Sequence, residues 1–189
     1  MTIRLYMSMS LDGYIAGPDD RAGQELGRGG GRLFNWLDER DGPGINGQVY
    51  AEALSTGAII SGRRTFELAG RWNGDHHDGV PILVLTRHPD EGAPPADGTT
   101  FYDDVVACAE AARQSSGGRP IMVHGAGAAQ ALLQAGQLDE LEIHLVPVLL
   151  GAGRPLFGGS EQGHELELVR CLEGNNATHL RYRVRAQRS

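Results

Sequence analysis

The stretch that most narrows what this chain can fold into begins with the apolar run Ile121-Met-Val-His124 and the turn Gly125-Ala-Gly127. An alanine- and leucine-rich stretch follows, then a second apolar run from Ile143 to Leu150. Strand, glycine turn, helix and strand in that order make a βαβ unit, which demands parallel strands in one sheet. Glycine at the carboxyl end of such a strand lets a ligand approach the backbone. The helix behind it offers unpaired N–H groups and the positive end of its dipole. Two uses fit this turn: an anion site suited to a nucleotide pyrophosphate, or a simple reversal of the chain.

Similar junctions recur upstream. Ala58-Ile-Ile-Ser61 reads as a short buried strand, and Gly62-Arg63-Arg64-Thr65-Phe66-Glu67 turns it into a helix. Guanidinium groups match phosphate oxygens bidentately, and Thr65 can cap the helix or donate to an oxygen. This favours phosphate over a solvated arginine pair. Val80 to Leu85 reads as a third parallel-type strand, and Thr86-Arg87 just past its end suits the 2′-phosphate of a phosphorylated dinucleotide.

Elsewhere the pattern is plainer. Ile3 to Met9 reads as a strand near the sheet centre, and Asp12-Gly13 as a tight turn. Gly17 to Gly31 is polar and glycine-rich, the composition of a mobile loop that can close over a site. Phe34 and Trp36 are read as core anchors, with a pocket for a flat ring as the other use. A helix is expected from Asn46 or Gly47 to Leu54, capped by Gly57. His76, His77 and Asp78 are metal-capable types without the spacing of a folded site, and are read as a solvated loop. Glu91 to Thr99 reads as a linker, Thr100 to Tyr102 as a strand, and Asp103 as the cap of a helix reaching Gln114. Glu165 to Leu172 and Ala177 to Arg185 near-alternate around Gly174-Asn-Asn176, which predicts an antiparallel hairpin at the sheet edge.

These elements predict one α/β domain over residues 1–189: a mixed, mainly parallel central sheet with flanking helices and an antiparallel C-terminal hairpin. A formal net charge of −7 disfavours a nucleic-acid partner. No apolar run approaches the roughly 18 residues of a membrane span, and the N-terminus lacks a signal-peptide pattern, so a cytoplasmic protein is expected. Cys108 and Cys171 are far apart and read as buried thiols, and no metal site is expected. The fingerprint G-x-G-x-x-G is not met, because alanines follow Gly127. The P-loop, nucleophile-elbow and zinc-deaminase patterns are also absent.

Four stretches together resemble the dihydrofolate-reductase-like superfamily, and within it the reductase domain of the riboflavin-biosynthesis deaminase-reductase. They are Ser10-Leu-Asp-Gly-Tyr-Ile-Ala16, Gly62 to Glu67, Val123-His-Gly-Ala-Gly127, and Leu138-Asp-Glu-Leu141 with Pro147 to Phe157. The resemblance implies a sheet of about eight strands, NADPH as cofactor, a small-molecule substrate and a homodimer. It places Gly62, Arg63, Arg64 and Thr65 at the pyrophosphate and adenosine side and Thr86 and Arg87 near the 2′-phosphate. Gly125, Ala126, Gly127 and Ala128 would hold the pyrophosphate from the other helix, and Ile15 and Ala16 would border the nicotinamide. The family's lysines are replaced by Tyr6 and Tyr14, and its glutamate by His124. The expected function is an NADPH-dependent reductase of a small heterocyclic or carbonyl/imine substrate, resembling 5-amino-6-(5-phosphoribosylamino)uracil reductase. Phe34, Trp36 and Leu150 are expected to bind substrate, and Asp12, Tyr14 and His124 are the candidate proton donors. A catalytically silent dimeric NADPH-binding protein and a folate or pterin reductase are the alternatives.

Overall fold

Short runs of β-branched and aliphatic residues with no polar alternation make strands covered on both faces, as parallel sheets require. The computed structural model, described over residues 1–89, 98–158 and 163–185, contains several. They are β3 (Ala58–Gly62), β4 (Ile82–Leu85) and β6 (Ile121–His124), accompanied by the mixed-polarity β1 (Ile3–Ser10); β2 is the brief Tyr14–Ala16. Strand β5 (Thr99–Tyr102) pairs with β4, and the pairs β5–β4, β4–β3, β3–β6 and β6–β1 are all parallel. After them come β7 (Glu140–Val146), the short β8 (Arg154–Pro155), β9 (Leu166–Gly174) and β10 (Ala177–Val184). The eight-stranded sheet runs β5-β4-β3-β6-β1-β7-β10-β9, and β2 pairs separately with β8. The expected mixed sheet and antiparallel C-terminal hairpin are therefore present, and β1 lies inside the sheet as predicted.

The chain forms two compact units. The first holds Met1–Leu5 and Leu54–Asp139, the second Tyr6–Ala53 and Glu140–Ser189. In the first, α2 (Arg63–Leu68) follows β3, α3 (Val105–Ser115) follows β5 and α4 (Ala126–Gln134) follows β6; the second holds α1 (Ile45–Leu54). Ile59, Ile60, Phe66, Ile121, Met122 and Leu132, each at most 2% exposed, fill the first core. The cap of α3 is Asp104, whose Oδ1 accepts from Ala107 N at 2.7 Å, one residue beyond the predicted Asp103. The second core gathers Leu33, Trp36, Val49, Val146 and Ala177.

Several expectations change. The 17–31 stretch folds on itself, with Gly17 N donating to Leu26 O at 2.9 Å and Arg28 N to Pro18 O at 2.8 Å. Its glycines permit that approach: a Cβ on Gly17 would lie 2.0 Å from Arg28 O. Helix α1 begins at Ile45, and Asn46 is buried within it. Gly57 is not a positive-φ cap; it lets the chain pass Ser116, whose carbonyl oxygen would meet an added Cβ at 2.0 Å. Cys108 is buried as expected, but Cys171 is exposed on the edge strand β9. Most of the 91–99 linker lies outside the described residues.

In the hairpin the alternation is inverted. His179 and Arg181 point inward at 0% and 8% exposure. Arg181 pairs with the buried Glu142 and, at 2.6 Å, with Glu52; Arg170 joins both carboxylates at 2.9 and 2.7 Å. The network neutralises its own charge, which is what allows arginine to occupy the inner face.

Candidate functional site

In the first unit, β3 and β6 lie side by side with Ser61 opposite His124, so both glycine junctions leave the sheet at the same edge. Gly62 approaches Ala128 N, which an added Cβ would meet at 3.5 Å. Gly125 has φ 91° and ψ 143°, and a Cβ there would sit 2.3 Å from Thr65 Oγ1. Backbone conformation and steric contact thus both require glycine at 125. The expected residues Gly62, Thr65, Gly125 and Ala128 are therefore brought together. The first backbone bond inside α4 runs from Ala129 N to Gly125 O at 3.1 Å. The N–H groups of Ala126, Gly127 and Ala128 accordingly have no acceptor within the helix. Gly127 is exposed, and an added Cβ would meet nothing within 4 Å. Donors from two adjacent helix starts beside an open glycine make a cradle that fits an anionic group.

The arginines divide. Arg63 donates from Nε to Glu67 Oε1 at 3.0 Å and lies over the Phe101 ring at 4.4 Å, so part of its guanidinium is committed within the fold. Arg64 is exposed. Thr86 extends the β4–β5 ladder, its N–H donating to Tyr102 O at 2.8 Å, and Arg87 beyond it is exposed.

Beside this edge stands a feature that sequence reasoning missed. His76 and His77 are not a solvated loop. His77 is 9% exposed, with its Nε2 3.2 Å from Thr56 O and 3.4 Å from Thr56 Oγ1. His76 places Nδ1 2.8 Å from His77 Nδ1 and Nε2 3.1 Å from His124 Nε2. Trp72 packs on His76 and His124, with ring centroids 4.8 and 5.8 Å away. Burial, then the rings of His124 and His77, push His76 down to about 3. Adjacent histidines in a Gly/Asp-rich segment carry no periodicity, so only the fold could show that they meet the end of β6. Among the described residues no cluster of His, Cys, Asp and Glu could hold a metal ion.

In the second unit, Asp12 is a clamp. Its carboxylate accepts from Ser10 Oγ at 2.5 Å, Leu150 N at 3.1 Å and Gly151 N at 2.7 Å. The Ser10 hydroxyl, followed by the Gly151 and Leu150 amides, holds its carboxyl below the usual carboxylate range. A carboxylate so held is ionised near neutrality, so Asp12 loses its support as a proton donor. Tyr14 N donates to Ser10 Oγ at 2.9 Å, and Tyr14 and Ala16 pair with Pro155 and Arg154. Gly153 closes the same junction, since a Cβ there would lie 2.0 Å from Ala16 O. Ile15 and Ala16 are both 6% exposed.

Phe34, Trp36 and Leu150 do come together, but around the second unit's hydrophobic core. Trp36 is 4% exposed, and its indole N–H donates to Ser8 Oγ at 2.9 Å. Its ring rests on His144 and His179, 4.5 and 5.0 Å away. The pocket use of Trp36 therefore gives way to a core role, leaving the half-buried Phe34 and Leu150 as the candidates for substrate contact. A further missed feature lies beneath: His144 and His179 share a 2.9 Å Nδ1–Nδ1 hydrogen bond, and His179 Nε2 meets Asn46 Oδ1 at 3.0 Å.

The sheet order and the paired glycine junctions define an α/β domain of the riboflavin-reductase type. The family model of the RibD C-terminal domain matches residues 1–180, and the chain belongs to that family. It is 29% identical over 185 residues to YwjB of Bacillus subtilis (strain 168), covering 96% of this chain and 97% of that one. It is similar in structure to a putative riboflavin biosynthesis protein from Shewanella sp. PV-4. There the TM-score is 0.73 at 22% identity, with 98% of this chain and 100% of that chain covered. The diaminohydroxyphosphoribosylaminopyrimidine deaminase/5-amino-6-(5-phosphoribosylamino)uracil reductase of Thermotoga maritima superposes with TM-score 0.63 at 12% identity. That match covers 97% of this chain but only 56% of the Thermotoga chain. Among the described residues no helix is long and apolar enough to cross a membrane.

Proposed function

We propose that this chain is an NADPH-dependent reductase acting on a small heterocyclic or carbonyl/imine substrate. The observation that carries the reading is the pair of neighbouring strand ends at Gly62 and Gly125, where an added Cβ on Gly62 would meet Ala128 N at 3.5 Å and Gly127 is open and exposed. In this reading Thr65, Gly125, Ala126, Gly127 and Ala128 hold the pyrophosphate, and Arg64, Thr86 and Arg87 act on the adenosine side. Ile15 and Ala16 retain their assignment to the nicotinamide. When bound, the nicotinamide supplies hydride. The chain supplies orientation and a proton, for which His124 is the leading candidate because Asp12 is committed to the turn at Gly151.

The riboflavin-pathway uracil derivative named for the Thermotoga neighbour is the first substrate to test, and pterins are the second. Tyr6 argues for a departure from that substrate. It stands where the related reductases carry a ligand-handling lysine, yet here it is 3% exposed with its ring centroid 6.4 Å from that of His144. The proposed homodimer finds support in the hairpin, where Leu166 and Leu168, 40% and 56% exposed, share a face with Val184 and Tyr182.

Fluorescence titration with NADPH and NADH, on wild type and on Arg64→Ala and Arg87→Ala, tests the cofactor. NADPH should bind more tightly than NADH, and the variants should narrow the difference. Failure of the wild type to bind either nucleotide would remove the reading.

A further inference from the structure

The row Thr56–His77–His76–His124 has a direction built into it. The Thr56 carbonyl, 3.2 Å from His77 Nε2, can only accept, and it is nearer than the Thr56 hydroxyl at 3.4 Å, so the shorter contact puts the proton on that nitrogen. In a neutral ring His77 Nδ1 is then an acceptor, and the proton in the 2.8 Å contact belongs to His76 Nδ1. His76 Nε2 is left as an acceptor in turn, and the 3.1 Å contact is a hydrogen bond donated by His124 Nε2. Each ring dictates the tautomer of the next, and the reverse order would turn the His77 Nε2 lone pair toward the Thr56 carbonyl oxygen at 3.2 Å, with only the longer 3.4 Å contact to the Thr56 hydroxyl to satisfy it.

The surroundings hold the row in place. Arg71, Trp72 and Asn73 adopt left-handed backbone conformations at φ 55°, 47° and 51°, a run that side-chain-bearing residues rarely make. That strained turn sets the Trp72 indole against His76 and His124, and strain of this kind concentrates at functional sites. The charged groups of the neighbouring elements are engaged or exposed. Glu67 on α2 is tied to Arg63 and Arg71 at 3.0 and 2.9 Å, and Asp75 and Asp78 on the histidine loop are exposed. On the adjoining strand, the residue in register with His124 is the uncharged Ser61.

We propose that His77 and His76 are positioning residues that lock His124 as an Nε2–H donor into the row, so that His124 exchanges protons through Nδ1. The role in chemistry rests on the reductase reading. Reduction adds a hydride to the carbon of a C=O or C=N bond and a proton to its heteroatom. That proton leaves Nδ1 of the charged His124 ring, which becomes neutral and takes the next proton from solvent.

Imidazole nitrogen NMR on the 15N-labelled full chain near neutral pH tests the lock without cofactor. His76 should carry its proton on Nδ1, and His77 and His124 on Nε2; averaged tautomers or the opposite order would overturn the proposal. His77→Leu should leave NADPH binding intact and lower kcat by about tenfold to a hundredfold, with a displaced pH profile. His77→Asn, whose Oδ1 can replace Nδ1 as the acceptor for His76, should recover most of that loss. An unchanged kcat and pH profile in His77→Leu would overturn the positioning role even with the tautomers as assigned, and if His77→Leu does not fold, the wild-type NMR decides alone. Wild type that shows the locked row but neither binds nor oxidises NADPH would remove the reductase reading and the positioning role with it, leaving the tautomer order standing.

Discussion

Two glycines separated by one residue should respond to alanine with opposite signs, and the difference tests the proposed anion site directly. Gly127 lies inside α4 with open space around a Cβ, so Gly127→Ala replaces a poor helix former by the best one. The gain should be about 0.5–1 kcal/mol, which raises the melting temperature by about 2–3 °C in a chain of this size. Gly125→Ala meets two penalties: φ 91°, and a contact of 2.3 Å with Thr65 Oγ1 and 3.0 Å with its Cβ. Strain of about 1–3 kcal/mol plus displacement of Thr65 should lower stability by about 3 kcal/mol. Adding Thr65→Ala removes the Oγ1 clash but not the backbone strain, so a double-mutant cycle should recover about 1 kcal/mol. The functional readout is separate. The methyl of Gly127→Ala projects from the helix start where the pyrophosphate is proposed to lie, so NADPH affinity should fall by about tenfold, or ~1.4 kcal/mol, while thermal stability rises. A stabilised Gly127→Ala with undiminished NADPH affinity would refute the phosphate placement. A destabilised one would refute the account of the helix start itself.

Acid should act on the first unit through His76. Burial, with His124 and His77, lowers it from an ordinary 6.5 to about 3, so the unfolded chain binds the extra proton between those values. The stability due to neutral His76 is complete above pH 6.5 and is lost toward pH 3, with a slope approaching 1.4 kcal/mol per pH unit (about, at most). Urea midpoints across that range should show the slope flattened in His76→Gln, and an identical slope would contradict the burial argument. In the second unit, Glu142→Gln leaves Arg170 and Arg181 without their buried carboxylate partner. It should cost about 3–5 kcal/mol in denaturant melts, and a loss below about 1 kcal/mol, the scale of a surface pair, would mean that the network is solvated. Leu168→Glu places a charge on the exposed hairpin face. It should shift sedimentation toward monomer, and an unchanged sedimentation profile would remove that face as the dimer contact.

The parallel strands β3 and β6 are legible because each is a short apolar run ending at a glycine, and because the junctions at Gly62 and Gly125 repeat one physical solution. The same local logic explains the misses. In the 17–31 segment, composition suggests a loose chain, but Gly17 and Gly27 are there so that backbone can touch backbone. In β10 the alternation is visible, yet which face is buried depends on Glu52, Glu142 and Arg170, residues far away in sequence whose charges make Arg181 acceptable inside. The sequence leaves Asp12 and Trp36 two roles each, and the bonds Asp12 accepts from Gly151 N and Trp36 donates to Ser8 Oγ, both long-range in sequence, favour the turn and the core.

Of the three positions at which the resemblance marks a departure from the riboflavin reductases, two contact histidines elsewhere in the chain. Tyr6, in place of a lysine, packs against the ring of His144, which is hydrogen-bonded through His179 to Asn46. His124, in place of a glutamate, is hydrogen-bonded through His76 to His77. In the resemblance to the riboflavin reductases, that lysine and that glutamate handle the phosphoribosyl substrate, and this chain carries neither. Behind the two replacements stand histidines that burial disposes to stay neutral, since it lowers both His76 and His179. The chain keeps glycine at both 125 and 127. An anion cradle in the first unit, with neither the lysine nor the glutamate of the resemblance in the chain, suits the proposed reductase to a phosphorylated nucleotide and a less charged substrate. A panel of neutral carbonyl, imine and pterin compounds is therefore the screen that this chain's own residues recommend alongside the phosphorylated uracil.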